Sequence, residues 1–174
     1  RFVLSIVFMM VAVFAFCEEM TGVYGIKFGS SESEATKIMQ SKGWEKCNTD
    51  SVVRVSYKNG LYCGKECDFQ LRFYEDKLYG AFLVFPCKGT EELVSVINIY
   101  KAMAVKYDFD TVKTDDRSGD FTIDKTLTVD NGVQSIKLIV SAVGMNQESI
   151  SGLEYIEITD RRYTEEYLKM ADDL

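Results

Sequence analysis

Apolar and polar residues alternate most cleanly between Cys67 and Pro86, where Cys67, Phe69, Leu71 and Phe73 interleave with Asp68, Gln70 and Arg72. A period of two marks a strand with one buried face. Tyr74-Glu75-Asp76-Lys77 predicts a polar turn, and the returning strand then sets Phe73 opposite Leu78, Leu71 opposite Gly80, Phe69 opposite Phe82 and Cys67 opposite Val84. In that register the apolar faces coincide, which is how burial fixes pairing. Tyr79, Ala81, Leu83 and Phe85 make the other face of the second strand apolar as well. Such a strand is expected at the centre of a sheet, covered by a helix or a partner chain.

Either side of this hairpin the period changes. Ser31 and Glu34 form a capping box for a helix over 32–42, with Ala35, Ile38 and Met39 on one face and Gly43 at its C-terminal stop. Trp44, just past the stop, is expected as a lid on the core. Val53, Val55 and Tyr57 mark a strand over 52–57, and Asn59-Gly60 signals a hairpin that returns through Leu61-Tyr62-Cys63. Gly64-Lys65-Glu66 then reads as a bend. Thr90, with Glu91 and Glu92 behind it, caps a second helix running to about Tyr107. That helix is apolar nearly all round, so it is expected to be buried over the central strand, with Ile97 against Phe69, Leu71 and Phe82.

Residues 108–120 are polar and read as a loop. Phe121, Ile123, Leu127 and Val129 resume the alternation, and a turn at Asn131-Gly132 sets Leu127 opposite Ile136 and Ile123 opposite Val140. Leu153 to Thr159 form a last strand, and Asp160 caps an amphipathic helix over 161–174 with Tyr163, Tyr167, Met170 and Leu174 on one face. The pattern predicts an α+β domain over 18–174, its antiparallel sheet built in the order helix, three strands, helix, three strands, helix. The units at 22–87 and 90–160 have the element order of a duplicated α-β-β-β unit, without residue identity between them.

Ahead of this domain, residues 2–16 are an apolar run behind Arg1, interrupted only by Ser5. Too short to span a bilayer comfortably, the run reads as the core of a secretory signal peptide over 1–17, with a cut after Ala15. Cys17 also occupies the place of a lipidated cysteine, although Phe16 stands where a lipoprotein signal carries a small residue. The expected location is therefore the periplasm, the cell envelope or the exterior, with membrane contact only through a lipid on Cys17.

Composition removes whole classes of function. The chain of 174 residues has no histidine, which excludes Ser-His and Cys-His nucleophile pairs and every zinc site that uses imidazole. A net charge of -7 with scattered lysines and arginines argues against nucleic acid. Cys47, Cys63, Cys67 and Cys87 form an even set suited to two disulfides in an exported chain, and strand parity favours Cys47 with Cys87 and Cys63 with Cys67. A four-cysteine zinc site and buried free thiols are the alternatives. Asp108, Asp110, Asp115, Asp116 and Asp120 crowd one segment, but their spacing departs from a calcium-binding loop, and a solvated loop is expected. No cofactor, metal ligand or catalytic residue is assigned.

The run GIKFGSSESEATKIMQSKGW, followed by a meander containing FYEDKLYGAFLVF, resembles small exported bacterial proteins of unknown function. More distantly it is similar to the superfamily of β-lactamase inhibitor protein and the small outer-membrane-assembly lipoproteins. The resemblance covers about residues 22–86 and implies a binding or scaffolding module of the envelope. The leading expectation is noncatalytic binding of a protein partner. Its rivals are a carboxylate enzyme acting on glycans, which needs two acids facing across a pocket, and a small-molecule carrier, which needs an apolar cavity between sheet and helix. A flat aromatic patch would mark the binding module.

Overall fold

The computed structural model describes residues 20–47, 54–107, 109, 111–120, 122–143 and 151–164. The expected signal peptide with Cys17, and the C-terminal helix beyond 164, lie outside the described residues. The elements are β1 (Gly22–Val23), β2 (Ile26–Lys27), α1 (Glu32–Ser41), β3 (Glu45–Lys46), β4 (Arg54–Tyr62), β5 (Lys65–Tyr74) and β6 (Lys77–Cys87). After these come α2 (Thr90–Lys106), β7 (Thr111–Asp116), β8 (Thr122–Asp130), β9 (Gln134–Val143) and β10 (Ser151–Asp160). A helical turn at 161–164 closes the described chain. It is capped as expected, with the Arg162 N–H donating to Asp160 Oδ1 at 3.0 Å.

Strands take 55% of the described residues and helices 24%. β1 and β2 form a small separate hairpin, and the other strands build one eight-stranded antiparallel sheet in the order β3-β4-β5-β6-β10-β9-β8-β7. This corrects the expected order of helix and three strands repeated. Each helix is followed instead by four strands, and the two meanders meet through their last members, β6 and β10. Within the eight-stranded sheet the missed strands are the two edges. β3 is two exposed polar residues, and β7, TVKTDD, carries too little apolar sequence to show a period. An edge strand has one neighbour and little to bury, so polarity is no obstacle to its pairing.

Three registers also depart from expectation. In the β5/β6 hairpin, Glu75 and Asp76 turn the chain with φ of 45° and 59°, and Phe73 meets Leu78 as expected. Tyr79 is then an extra residue, so that Leu71 pairs with Ala81 and Phe69 with Leu83 rather than with Gly80 and Phe82. This β-bulge carries Phe82 to the opposite face. Asn59-Gly60 is a bulge within β4, not a hairpin, and the chain reverses at Cys63-Gly64, with φ of 50° and 77°. The Trp44 indole lies on Gly60 so closely that a Cβ there would penetrate the ring. At Asn131 the loop is longer than two residues: Asp130 Oδ1 accepts from Gly132 N, and Asn131 Oδ1 from Val133 N and Gln134 N. Val129 therefore meets Ile136, and Leu127 meets Leu138.

Both helices cover the same sheet face. α1 is held by the expected capping box of Ser31 and Glu34 and buries Ala35 and Met39. Thr36 reaches the sheet, its hydroxyl 2.8 Å from that of Tyr57. α2 starts from Gly89 as N-cap, not Thr90, and buries Val96, Tyr100 and Met103 against β6, β9 and β10. It is amphipathic, not buried all round, since Val94 is 49% and Val105 81% exposed. Between helices and sheet lie Tyr57, Phe69, Leu71, Leu83, Ile136, Leu138, Ile156 and Ile158, all at 0 to 1% exposure. Trp44 is buried with them, as expected of a lid, with its ring edge-on to Phe69 at 5.5 Å.

Candidate functional site: the uncovered face of the sheet

Because strand side chains alternate, the residues between the buried ones all point to the second face of the sheet. Among the described residues no helix lies over it. Three rows cross its centre. Gln70, Phe82, Glu157 and Lys137 form one, and Asp68, Val84, Tyr155 and Ile139 the next. Pro86, Leu153 and Ser141 form the third. Phe82, Val84, Tyr155 and Ile139 are half-buried there. Leu153 is 42% exposed, and Leu61, at the end of β4, is 57%.

Charges flank this apolar centre. The Arg72 guanidinium stacks 3.9 Å above the Phe82 ring and lies 3.8 Å from Glu157, whose other oxygen is 3.3 Å from Lys137 Nζ. Such partly exposed pairs add up to about 1 kcal/mol each, so their role is to hold side chains in place more than to stabilise the fold. Arg72 Nε is buried without a hydrogen-bond partner, which leaves a donor unused beside Phe82. Two shallow grooves meet at Val84: one of about 360 Å³ runs past Arg54, Arg72 and Tyr155, and one of about 530 Å³ past Leu61, Glu66 and Leu153. One groove thus has a cationic rim and the other an acidic one.

The residues singled out from the sequence lie elsewhere. Cys63 is exposed at its turn, Cys67 is buried on the helix-covered face and Cys47 is half-buried beside β4. All three are free thiols, so the expected Cys63 to Cys67 bridge is not formed. The reason is the turn at Cys63-Gly64, which leaves Cys63 at the tip while Cys67 returns into the ladder opposite Gly60. The Cys87 side chain, and with it the Cys47 to Cys87 pairing, lies outside the described residues. Burial pushes the Cys67 thiol up to about 12, so it holds its proton at neutral pH. Among the described residues no group of three cysteines or acids is placed to hold a metal ion.

Of the crowded aspartates, Asp108 and Asp110 lie outside the described residues. Asp115 and Asp116 point to opposite faces of β7 and pair with Arg117 at 2.8 Å and Lys125 at 3.0 Å, and Asp120 is exposed beyond them. Hydrogen bonds from Ser118 and then Lys125 hold Asp116 down at about 2. Asp115 and Asp116 are engaged with their own chain.

On β10, sequence reasoning missed the acid Glu154 and read Asp160 only as a helix cap. Glu154 and Asp160 are both 0% exposed on the covered face. Asp160 is fully partnered, by Gln134 Nε2 at 2.7 Å and by Arg162, while Gln134 also donates to the Met20 carbonyl. Glu154 has no partner on either oxygen, and burial, then Glu92, push it up to about 7. The signal was present in the alternation of LEYIEITD, whose inward positions carry Glu154, Ile156, Ile158 and Asp160.

No family model matches the chain, and neither a curated protein nor a solved structure is found to be similar to it.

Proposed function

We propose that this chain is an exported, noncatalytic binding module whose partner is a protein seated on the uncovered sheet face. One observation carries the reading: a continuous apolar and aromatic centre, Phe82, Val84, Tyr155, Ile139 and Leu153, on a broad sheet face that no helix covers among the described residues, bordered by charges of both signs. An apolar centre inside a polar rim is the anatomy of protein interfaces, and buried aromatic and arginine anchors dominate their energetics. A sheet is also a stiff platform, so little ordering is lost on association. The resemblance to envelope binding modules and the apolar run at residues 2–16 support placing that partner outside the cytoplasm.

The glycan-enzyme reading would need an acid pair whose proton donor is open to substrate. Glu154 has the raised pKa of a proton donor, but it is sealed beneath α2 where no substrate reaches it.

The test is a photo-crosslinking residue placed at Tyr155, with a control at exposed Lys37 on α1, in the cells that make the protein. A single protein should be captured from position 155 and not from position 37. Phe82→Ala in the same chain should lower that yield by at least about tenfold, the effect of losing an interface anchor. Equal capture from both positions, or capture indifferent to Phe82→Ala, overturns the assignment.

A further inference from the structure

On the covered side of the sheet, the C-terminal half of α2 and the outer strands β7 and β8 border a third groove, of about 530 Å³. This lies within the range of about 300–1,000 Å³ typical of small-molecule sites. Ala104, Val105, Phe109, Val112, Leu127 and Val129 give it apolar walls. Its rims are open, with Val105 81% and Val112 61% exposed, while Val129 at its floor is 1% exposed. Surface valines at such exposure on a continuous apolar wall are the mark of a surface that takes a ligand.

Two polar groups break the apolar lining, on adjacent residues of one helix. Tyr100 is 4% exposed and its hydroxyl is buried with no hydrogen-bond partner. A buried donor left unpaired costs about 1–3 kcal/mol, a cost that a ligand able to accept from it would remove. Burial pushes that hydroxyl up to about 12, so it keeps its proton and acts as a donor at neutral pH. Lys101 is exposed beside it and makes no ion pair among the described residues. One cation and one buried donor, set at the end of an apolar trough on an otherwise acidic chain, complement a single anionic head on an apolar tail.

We infer that this groove binds a long-chain monocarboxylate, its carboxylate pairing with Lys101 at the rim and, as the side chains over it part, accepting from the Tyr100 hydroxyl, while its alkyl tail lies between Ala104, Phe109 and Leu127. A second copy of the chain fits less well, since a flat surface would cover the exposed valines but not reach the recessed Tyr100 hydroxyl. This site lies on the opposite side of the sheet from Phe82 and Tyr155, so its fate is independent of the protein-binding reading.

The test uses the full chain and cis-parinaric acid, a fluorescent fatty acid, with displacement by palmitate and by hexadecanol. The parent chain should bind one equivalent saturably and release it to palmitate. Lys101→Glu, at an exposed position that the fold does not depend on, should weaken palmitate by roughly tenfold while leaving hexadecanol displacement unchanged. Ala104→Trp should abolish binding of both, with its circular dichroism and melting curve showing that it folds. Absence of saturable binding, equal palmitate affinity in the parent and Lys101→Glu chains, or a dimer that excludes the probe overturns the proposal.

Discussion

Glu154 and Asp160 share a strand and a face, yet burial acts on them with opposite results. Burial alone would raise the pKa of Asp160, but hydrogen bonds from Arg162 and Gln134 outweigh it and the pKa falls. Glu154 has only Phe85 and Val140 as strand neighbours and the like charge of Glu92 nearby, so nothing offsets its loss of water and the pKa rises from 4.5 to about 7. Between these values the folded chain holds a proton that the unfolded chain has released. A state that binds more protons loses stability as pH rises, so the contribution of Glu154 is full below about 4.5 and is lost as pH rises through about 7. Glu154→Gln never ionises and removes this term. Urea unfolding at about pH 5 and about pH 8 should show a smaller stability loss in the variant than in the parent, and an identical loss in both would mean that Glu154 does not carry the effect.

At the scale of elements, the bulge at Tyr79 decides what each side of β6 does. Without it Phe82 would face Phe69 in the core, as plain alternation from the turn predicts. With it Leu83 takes that place and Phe82 joins the uncovered face. Leu83→Ala should therefore cost about 2–5 kcal/mol of stability, the effect of a core cavity, and Phe82→Ala less than about 1 kcal/mol. Thermal unfolding of the two variants separates the registers, since the unbulged pairing predicts the reverse order. The features legible in sequence were those with a local cause: the Ser31/Glu34 capping box, the turn at Glu75-Asp76, and the parity of β5. The features missed were set by distant partners. Asn59-Gly60 has the composition of a hairpin turn, but Trp44, settled on Gly60, keeps the chain running to Cys63. Polar β3 and β7 are strands because β4 and β8 offer them a free edge, which no periodicity records. The uncovered face was hidden for the same reason. Its apolar residues were visible one by one, but only the placing of β10 between β6 and β9 brings Tyr155 beside Val84 and Ile139.

For the whole molecule, that placing of β10 makes one folding unit of two meanders. β10 pairs along nearly its full length with both β6 and β9, and α2 lies across all three. Neither half keeps its central strand covered if the other leaves, because each meander ends on the strand that the other needs as neighbour. The chain's single tryptophan, Trp44, sits in the first half, where its ring meets Tyr24 and Phe69. Ile156 sits in the second half, fully buried between Leu83 of β6 and Leu138 of β9. Ile156→Ala should cost about 2–5 kcal/mol. In one cooperative unit this loss reaches Trp44, although the two residues belong to different meanders. Urea unfolding followed by Trp44 fluorescence and by circular dichroism should move to lower denaturant by the same amount in the variant. A Trp44 transition left in place while the circular dichroism transition splits would mean that the meanders unfold separately, and that the uncovered face, built from both, is a junction of two domains.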